Sequence, residues 1–296
     1  MSAAVLSLKL GPWLMAARPA TLPAGVLPVV LATALAHSRG QARLDVALWS
    51  ALGAMAIQIG TNLYNDWADF FRGADTAARV GPRRVTQQGL IPPRRVLQAA
   101  VAAFVAAAGC GLFLLPIGGL PILCVGVVSI AAGVLYTGGP YPLAYHGLGD
   151  LFVFVFFGLV ATVATYYLHT GTVSGTSVLL GAAVGFFATA ILVVNNLRDR
   201  HTDALAHKRT LAVRFGARPS QVQYGACLLL PYALAVAAAA QEAAWPRLLP
   251  LVSLPWAFVL LGRIRRLEGA ALNPLLGQTA RLELGYTLLM ALGLVW

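Results

Sequence analysis

Long apolar runs alternate with polar connections along almost the whole chain. Nine of these runs approach the length of about 20 residues that an α-helix needs to cross the hydrocarbon core of a bilayer. Several are rich in Gly and Ala, which let neighbouring helices approach closely in a membrane. The pattern predicts an all-α bundle of nine transmembrane helices around a central cavity, at about residues 20–37, 46–65, 96–115, 120–136, 149–168, 176–197, 221–240, 248–264 and 272–294.

The composition excludes a soluble protein with a large core. Hydrophobic residues make up 59% of the 296-residue chain and charged residues only 10%, whereas soluble domains carry about 25% charged residues. We therefore expect a polytopic membrane protein that forms one domain over residues 1–296 and contacts membrane lipid over most of its surface.

The connections between the apolar runs are unequal in length and in charge. The two long polar connections, at about 66–95 and 198–220, carry six Lys or Arg residues each, while the opposite side carries only Arg39, Arg43 and Arg247. The positive-inside rule then places the N-terminal segment and both long connections in the cytoplasm, at what we expect to be a bacterial inner membrane. The net charge of +11 indicates a topology signal or an anionic ligand, and no nucleic-acid partner is expected.

Two polar motifs close the second and the sixth apolar runs. The first is "NLYNDWADFFRGAD" at 62–75, and the second is "NNLRDRHTDALAHK" at 195–208. Asn62 precedes Asp66 by four residues, as Asn195 precedes Asp199, and four runs separate the two motifs. This internal repeat predicts two similar four-helix units followed by a ninth helix.

The spacing of the aspartates predicts a metal site. Asp66 and Asp69 are three residues apart and Asp199 and Asp203 are four apart, so each pair faces one side of a helix. Ionisable groups at membrane depth normally face a cavity and a partner. Mg²⁺ prefers oxygen ligands and binds through one or two carboxylates together with substrate phosphates. We expect the four aspartates to hold two or more Mg²⁺ ions around one diphosphate.

Polar and basic residues near the two motifs fit an anionic substrate. Amide side chains supply oxygens that bind a metal or orient the carboxylates, and arginine binds phosphate oxygens in a bidentate manner. The alternative is that the basic residues are topology determinants, which pair with the aspartates and contact lipid headgroups. The candidate substrate-binding residues of the two motif regions are Asn62, Asn65, Arg72, Asp75, Arg79, Arg84, Asn196, Arg198 and Lys208.

These motifs resemble those of the UbiA-type intramembrane aromatic prenyltransferases. The family's NDxxD motif matches Asn65, Asp66 and Asp69, and its DxxxD motif matches Asp199 and Asp203. The third acid stands at Asp75, and the stretches "RPATLPAGVLPV", "RVGPRRVTQQGLI", "YTGGPYPLAYHGLGD" and "NNLRDRHTDALAHKRTLAVRFG" resemble the branch that prenylates 1,4-dihydroxy-2-naphthoate. One departure is His207, where the pattern more often has glycine.

The resemblance implies a nine-helix fold and a reaction. A polyprenyl diphosphate would be the donor, 1,4-dihydroxy-2-naphthoate the acceptor and Mg²⁺ the cofactor. Loss of CO₂ after ring attack would give demethylmenaquinol and diphosphate. No serine or cysteine nucleophile is needed for this chemistry.

The remaining candidates lie in two loops. In the loop "YTGGPYPLAYHGLGD", Asp150 could position or deprotonate the acceptor hydroxyl together with His146 and Tyr141. Tyr136 and Tyr141 are also candidate aromatic faces for a carbocation. The alternative for Asp150 is a helix N-cap. Gln88 in "TQQG" could contact the diphosphate or the acceptor, and Asp75 could order its own loop by pairing with Arg79 or Arg83.

Three alternative functions stay open on the sequence. The first is prenyl transfer to 4-hydroxybenzoate or homogentisate. The second is a cation-coupled transporter, although the aspartates sit at helix ends with arginine-rich loops rather than at mid-span. The third is a noncatalytic lipid- or quinone-binding protein, which would not need two acidic motifs.

Overall fold

The computed structural model describes residues 3–74 and 80–296, and within that part of the chain the regular structure is helical. Short 3₁₀ segments at Pro19–Thr21, Leu143–His146 and Gly269–Leu272 join the helices, and a nine-residue 3₁₀ segment, Trp245–Ser253, leads directly into α10. The α-helices are α1 (Ala3–Ala17), α2 (Leu22–His37), α3 (Leu44–Phe71), α4 (Pro93–Leu135), α5 (Gly149–Val153), α6 (Ala161–Thr170), α7 (Gly175–Leu205), α8 (Leu211–Phe215), α9 (Ala217–Gln241), α10 (Leu254–Ile264) and α11 (Asn273–Val295).

The described residues contain six helical segments long and apolar enough to cross a membrane, or seven if the bent pair Leu10–Ala17 and Leu22–His37 forms one span. The predicted all-α membrane protein is therefore confirmed. The count of six treats α4 as one segment and leaves out α11. The predicted number of nine spans stays a prediction.

Helix α4 breaks in the middle. Its 43 residues would extend about 65 Å as a straight helix, roughly twice the hydrocarbon core of a bilayer. Gly119 interrupts the helix with φ 59° and ψ −152°, and Pro116 and Pro121 flank it. Because glycine adopts positive φ at low cost, the chain turns there, and the two arms correspond to the third and fourth predicted runs.

Helix α7 forms the centre of the bundle. In its most apolar stretch 67% of the residues are buried, the largest share among the candidate spans. Its Phe187 packs at 5.0 Å from the ring of Tyr286 on α11, and Tyr232 on α9 completes the aromatic cluster. A helix that is apolar on all sides is a buried one, so the second aspartate motif extends from the most buried element of the fold.

Small residues allow α7 to lie very close to the neighbouring helix. A π-helical turn, Phe154–Val160, connects α5 to α6. A Cβ atom added to Gly158 in this turn would collide with the backbone of Gly181 and Gly185 on α7. The contact is thus one of backbone against backbone, as small residues permit in membrane helix pairs.

The two ends of the bundle differ in chemistry. We call the end that carries Asp66 and Asp199 the motif end. At the opposite end, Glu242 pairs with Arg39, accepts a hydrogen bond from Arg247 at 2.7 Å and accepts another from Thr176 at 2.6 Å. Burial would raise the pKa of Glu242, but the bonds from Arg247 and Thr176 lower it to about 2. The carboxylate is therefore charged at neutral pH. It links the segment after α2, the start of α7 and the segment after α9.

The close contact at Gly158 predicts a large effect of one methyl group. We expect Gly158→Ala to lower the free energy of unfolding by about 1–3 kcal/mol, because the added Cβ meets backbone that cannot rotate away. Thermal unfolding of the purified protein in detergent measures this effect. The matched control is Gly109→Ala on α4, where the Cβ has no neighbour within 4 Å. Equal unfolding midpoints for the two variants would contradict the packing described here.

Candidate active site

A cavity of about 820 Å³ lies inside the bundle between α2, α3, α4, α7, α11 and the α5–α6 segment. Its motif end is polar and charged, and its deeper part is mostly apolar but includes Gln58 and Glu283. The polar wall is formed by Arg18, Asn62, Asn65, Asp66, Asp69, Arg83, Arg84, Thr137, Asn195, Asn196, Arg198, Lys208 and Asn273. The apolar wall includes Trp49, Ile57, Leu114, Ile122, Phe152, Phe156, Phe157, Leu168, Leu192 and Leu276.

The carboxylate of Asp66 organises the loop that follows the first motif. Asp66 is 2% exposed, in the penultimate turn of α3. Its oxygens accept hydrogen bonds from the backbone N–H groups of Val85 at 3.2 Å and Thr86 at 3.0 Å. These bonds hold the segment 80–91 over the cavity, where Arg83 and Arg84 join the wall. Each carboxylate oxygen keeps further lone pairs for a ligand.

Tyr145 connects the first motif to the second. Its hydroxyl donates a hydrogen bond of 2.8 Å to Asp69. Its ring lies 5.5 Å from the guanidinium of Arg72 and 5.6 Å from the ammonium of Lys208. Asp69 also faces Arg84, at 3.5 Å between Oδ2 and Nη2. Both distances to the ring fall within the range of cation–π attraction, so one aromatic ring brings the two motifs together.

The asparagines of the first motif have structural partners. Asn65 accepts a hydrogen bond of 2.6 Å from Thr137, which follows the second arm of α4. Asn62 donates to the backbone oxygen of Ala17 at 3.0 Å and to the hydroxyl of Thr21 at 3.2 Å. Asn62 therefore fixes the bend between α1 and α2.

The second motif is held by a buried ion pair. Arg198 donates to both oxygens of Asp199, at 2.8 Å and 2.6 Å, and its side chain has no solvent exposure. The same guanidinium donates to Asn195 at 2.7 Å and to Asn273 on α11 at 3.0 Å. A Cβ at Gly81 would collide with this guanidinium. Arg198 thus joins α7, α11 and the segment 80–91.

The end of the second motif packs against the loop that carries Tyr145. Lys208 lies 3.7 Å from Asp203, and the backbone N–H of Arg209 donates to the oxygen of Tyr145 at 2.9 Å. The turn between Asp203 and Lys208 passes through His207, whose φ is 55°. Glycine adopts this left-handed conformation more easily than histidine does, so the backbone here suits the glycine that the resemblance leads one to expect at this position.

The structure brings together most, but not all, of the predicted site residues. Asp75 and Arg79 lie outside the described residues, and the others are described. The predicted residues on the cavity wall are Asn62, Asn65, Asp66, Asp69, Arg84, Tyr136, Asn196, Arg198 and Lys208. The predicted residues that do not line the cavity are Arg72, Gln88, Tyr141, Asp150, Asp199 and Asp203.

Three of these residues differ most from the expectation. Asp150 accepts a hydrogen bond of 3.1 Å from Gln223 on α9 instead of facing the cavity. It lies within the first turn of α5, and the N-cap position of this helix is Leu148. Tyr141 is 56% exposed and stacks on His146 at 3.5 Å between ring centroids. Gln88 is exposed at the surface.

Several residues of the site were not among the predicted ones. Tyr145 and Thr137 belong to the loop and the helix end that close the site, where the sequence offers no spacing that pairs them with an aspartate. Arg18 faces the cavity from the bend before α2, with φ 54°. Asn195 stands at the repeated Asn–Asp spacing, so the internal repeat was the signal that could have identified it. Glu283 lies on α11, outside both motifs.

The donor set fits Mg²⁺ only in part. The four aspartates of the two motifs are buried, at 2–8% exposure, and supply the hard oxygen ligands that Mg²⁺ prefers. Within the described part of the chain, however, no three Asp, Glu, His or Cys side chains are close enough to hold a metal on their own. Phosphate oxygens of a substrate and water would therefore complete the coordination. The roles of the four as metal ligands stay predictions.

Comparison with known proteins identifies related sequences. The UbiA prenyltransferase family matches residues 26–280. The 1,4-dihydroxy-2-naphthoate octaprenyltransferase of Mycobacterium leprae (strain TN) is 41% identical over 224 residues, which cover 76% of this chain and 76% of that protein. The 1,4-dihydroxy-2-naphthoate octaprenyltransferase of Escherichia coli (strain K12) is 34% identical over 301 residues, which cover 95% of this chain and 94% of that protein.

Solved structures share the fold at low sequence identity. A UbiA homolog from Archaeoglobus fulgidus bound to DMAPP and Mg²⁺ aligns with a TM-score of 0.65 and 15% identity, covering 94% of this chain and 99% of that one. A UbiA homolog from Aeropyrum pernix K1 aligns with a TM-score of 0.69 and 15% identity, covering 90% of this chain and 96% of that one. The chain therefore belongs to the UbiA prenyltransferase family.

Proposed function

We propose that the chain transfers a polyprenyl group from its diphosphate to 1,4-dihydroxy-2-naphthoate. The C–O bond between the allylic carbon and the diphosphate breaks, and the diphosphate leaves with the electron pair. The ring carbon that carries the carboxylate forms the new C–C bond. Loss of that carboxylate as CO₂ returns its bonding electrons to the ring and restores aromaticity, which gives demethylmenaquinol.

The observation that carries this proposal is the agreement of relatives that cover most of the chain. Several proteins named 1,4-dihydroxy-2-naphthoate octaprenyltransferase are 33–42% identical to it. The match with the E. coli protein extends over 95% of this chain and therefore includes both aspartate motifs. The cavity supports the same conclusion, because its charged mouth and apolar depth suit an amphipathic donor.

The charged mouth is the proposed site of the diphosphate. Arg84, Arg198 and Lys208 line it and offer N–H donors to phosphate oxygens. Buried donors that are already in place stabilise the charge that develops on a leaving group without reorganisation. Arg72, held by a 2.6 Å hydrogen bond to the backbone oxygen of Gly139, would support this network from outside the cavity wall through Tyr145.

Asp66, Asp69, Asp199 and Asp203 are the residues that would hold Mg²⁺. When bound, Mg²⁺ would neutralise charge on the diphosphate and so favour its departure. The chain's own contribution is to fix these carboxylates, through Val85 and Thr86 at Asp66 and through Tyr145 at Asp69. Asp199 is paired with Arg198, and each of its oxygens keeps a further lone pair for a metal.

The apolar depth of the cavity would take the prenyl chain and protect the allylic cation from water. Aromatic faces attract cations, and Tyr136, Phe152 and Phe156 are on the wall below the charged mouth. Phe152 and Phe156 stack on each other at 5.6 Å. Exclusion of water prevents the cation from being hydrolysed before the ring attacks.

We also propose the finer topology. Nine spans arise if the arms of α4 on either side of Gly119 count separately, the bent α1–α2 pair counts as one, and α11 crosses the membrane. The whole chain then forms one domain of two four-helix units and a ninth helix. The arginine-rich connections favour a cytoplasmic location for the motif end.

The proposed reaction predicts strict dependence on the metal and on the acceptor. Purified protein in detergent, given a polyprenyl diphosphate, 1,4-dihydroxy-2-naphthoate and Mg²⁺, should form a prenylated naphthoquinol and release CO₂. Mass spectrometry of the extracted product measures this. EDTA should abolish the reaction, because no metal is then present to neutralise the charge on the departing diphosphate.

Parallel reactions with 4-hydroxybenzoate and homogentisate are the controls for the acceptor. They should give little product compared with the naphthoate. Faster prenylation of either one would contradict the proposed acceptor. Equal product with and without EDTA would contradict the proposed role of the aspartates.

The first motif predicts a specific effect on metal use. Asp69→Asn should lower turnover by about 100-fold or more, because it removes one preorganised charge from the diphosphate site. It should also raise the Mg²⁺ concentration needed for half-maximal activity. The matched control is Asp45→Asn, since Asp45 is exposed at the opposite end and pairs with Arg43. Equal metal dependence in Asp69→Asn and the wild type would remove Asp69 from the metal site.

A further inference from the structure

A carboxyl group lies in the cavity wall outside both aspartate motifs. Glu283 on α11 shares one face of this helix with Asn273, Leu276 and Ala280, which also line the cavity. Asn273 contacts Arg198 at the motif end. Ten residues of α-helix separate Asn273 from Glu283, which corresponds to about 15 Å along the axis. Glu283 therefore lies well below the charged mouth.

The carboxyl of Glu283 has an unused hydrogen-bonding atom. Glu283 is 1% exposed, and its Oε1 has no hydrogen-bond partner among the described residues. Burial of a polar group without a partner is unfavourable, and intramembrane carboxyls normally face a partner or a ligand. The other residues of this face of α11 below Asn273 are Leu276, Gly277 and Ala280, none of which can hydrogen-bond through a side chain.

A second polar group occurs at a similar depth. Gln58 on α3 lines the cavity eight residues before Asp66, which places it about 12 Å below that carboxylate. Its Nε2 donates to Thr21 at 3.3 Å, whereas its Oε1 has no hydrogen-bond partner among the described residues. Helix α2 packs against both α3 and α11. Two acceptor oxygens thus lie below the charged mouth, on helices that flank α2.

The two substrates differ in what they could offer these oxygens. A prenyl chain is a hydrocarbon and has no hydrogen-bond donor. An aromatic diol has two hydroxyl groups, and a carboxyl oxygen accepts a hydrogen bond from a hydroxyl in either protonation state. A wall that served the prenyl chain alone would gain nothing from a buried carboxyl.

We propose that Glu283 is a positioning residue for the aromatic acceptor and accepts a hydrogen bond from one of its ring hydroxyls. The inference rests on the proposed function. The bond fixes the rotation of the ring in the cavity, so that the carbon bearing the carboxylate faces the allylic carbon below the diphosphate. Correct orientation of two reacting groups contributes strongly to rate.

Variants at Glu283 test this role through the two Michaelis constants. Glu283→Leu should raise KM for 1,4-dihydroxy-2-naphthoate by at least about 10-fold, the effect of one lost hydrogen bond in a buried site. KM for the prenyl diphosphate should change less than about 2-fold. Glu283→Gln keeps an acceptor oxygen and should recover most of the affinity. Glu268→Gln, at a side chain that is 81% exposed, is the control.

Acceptors that lack one hydroxyl give a second readout that does not depend on the stability of the variant. Used as competitive inhibitors against 1,4-dihydroxy-2-naphthoate, 1-hydroxy-2-naphthoate and 4-hydroxy-2-naphthoate should show different inhibition constants with the wild-type protein, since only one of them keeps the bonded hydroxyl. The discrimination should disappear in Glu283→Leu and persist in Glu283→Gln, because two groups in contact show non-additive effects.

Two results would overturn the role of Glu283. One is an equal rise of both Michaelis constants in Glu283→Leu and Glu283→Gln. The other is unchanged discrimination between the two monohydroxy acceptors. Absence of transfer by the wild-type protein to any naphthoate would instead contradict the proposed function itself.

Discussion

Buried carboxylates at the ends of membrane helices need positive partners or hydrogen-bond donors, and this constraint organises the structure. Asp66, Asp69, Asp199 and Asp203 are each at most 8% exposed. An ionised group in such surroundings is stable only when it is paired or hydrogen-bonded. The protein meets the requirement with backbone N–H groups, Tyr145, Lys208 and Arg198, and the folding of the loops around the cavity follows from these bonds.

The same partners suit the proposed chemistry. Arg198 pairs with Asp199 in the structure, yet its guanidinium also forms part of the cavity wall. A diphosphate would offer it another anion, and a divalent cation would offer the carboxylate another positive partner. If Arg198 moved from Asp199 to the diphosphate while the cation bound Asp199, neither the guanidinium nor the carboxylate would be left without an opposite charge. The buried charges are therefore paired before the substrate binds, and the same groups could pair with the substrate and its metal afterwards.

The sequence predicted the parts of the site that follow from helical spacing. The two aspartate motifs, their helical faces and the four-run interval between them were visible as periodic features. Hydropathy also divided this region into two runs, and the break at Gly119 falls between them. These features depend on local geometry, which neighbouring residues determine.

Contacts between segments that are distant in the sequence could not be predicted from helical spacing or hydropathy. Tyr145 is brought to Asp69 by a loop 76 residues further along the chain, and nothing in its neighbourhood indicates that contact. The sequence predicted that Asp150 acts on the acceptor, which stays a prediction, but it did not indicate the hydrogen bond that Asp150 accepts from Gln223 on α9. Glu283 is a single acid in an apolar run, and only the packing of α11 against the cavity reveals its position.

We propose that the motif end binds diphosphate and metal as one unit. The most direct measurement is the thermal unfolding midpoint of the purified protein with MgCl₂ alone, with farnesyl diphosphate and EDTA, and with farnesyl diphosphate and MgCl₂ together. Ligands that bind the folded state raise this midpoint. We expect a rise of about 3 °C or more only when both are present. A full rise with farnesyl diphosphate and EDTA, or no rise with farnesyl diphosphate and MgCl₂ together, would contradict joint binding of diphosphate and metal.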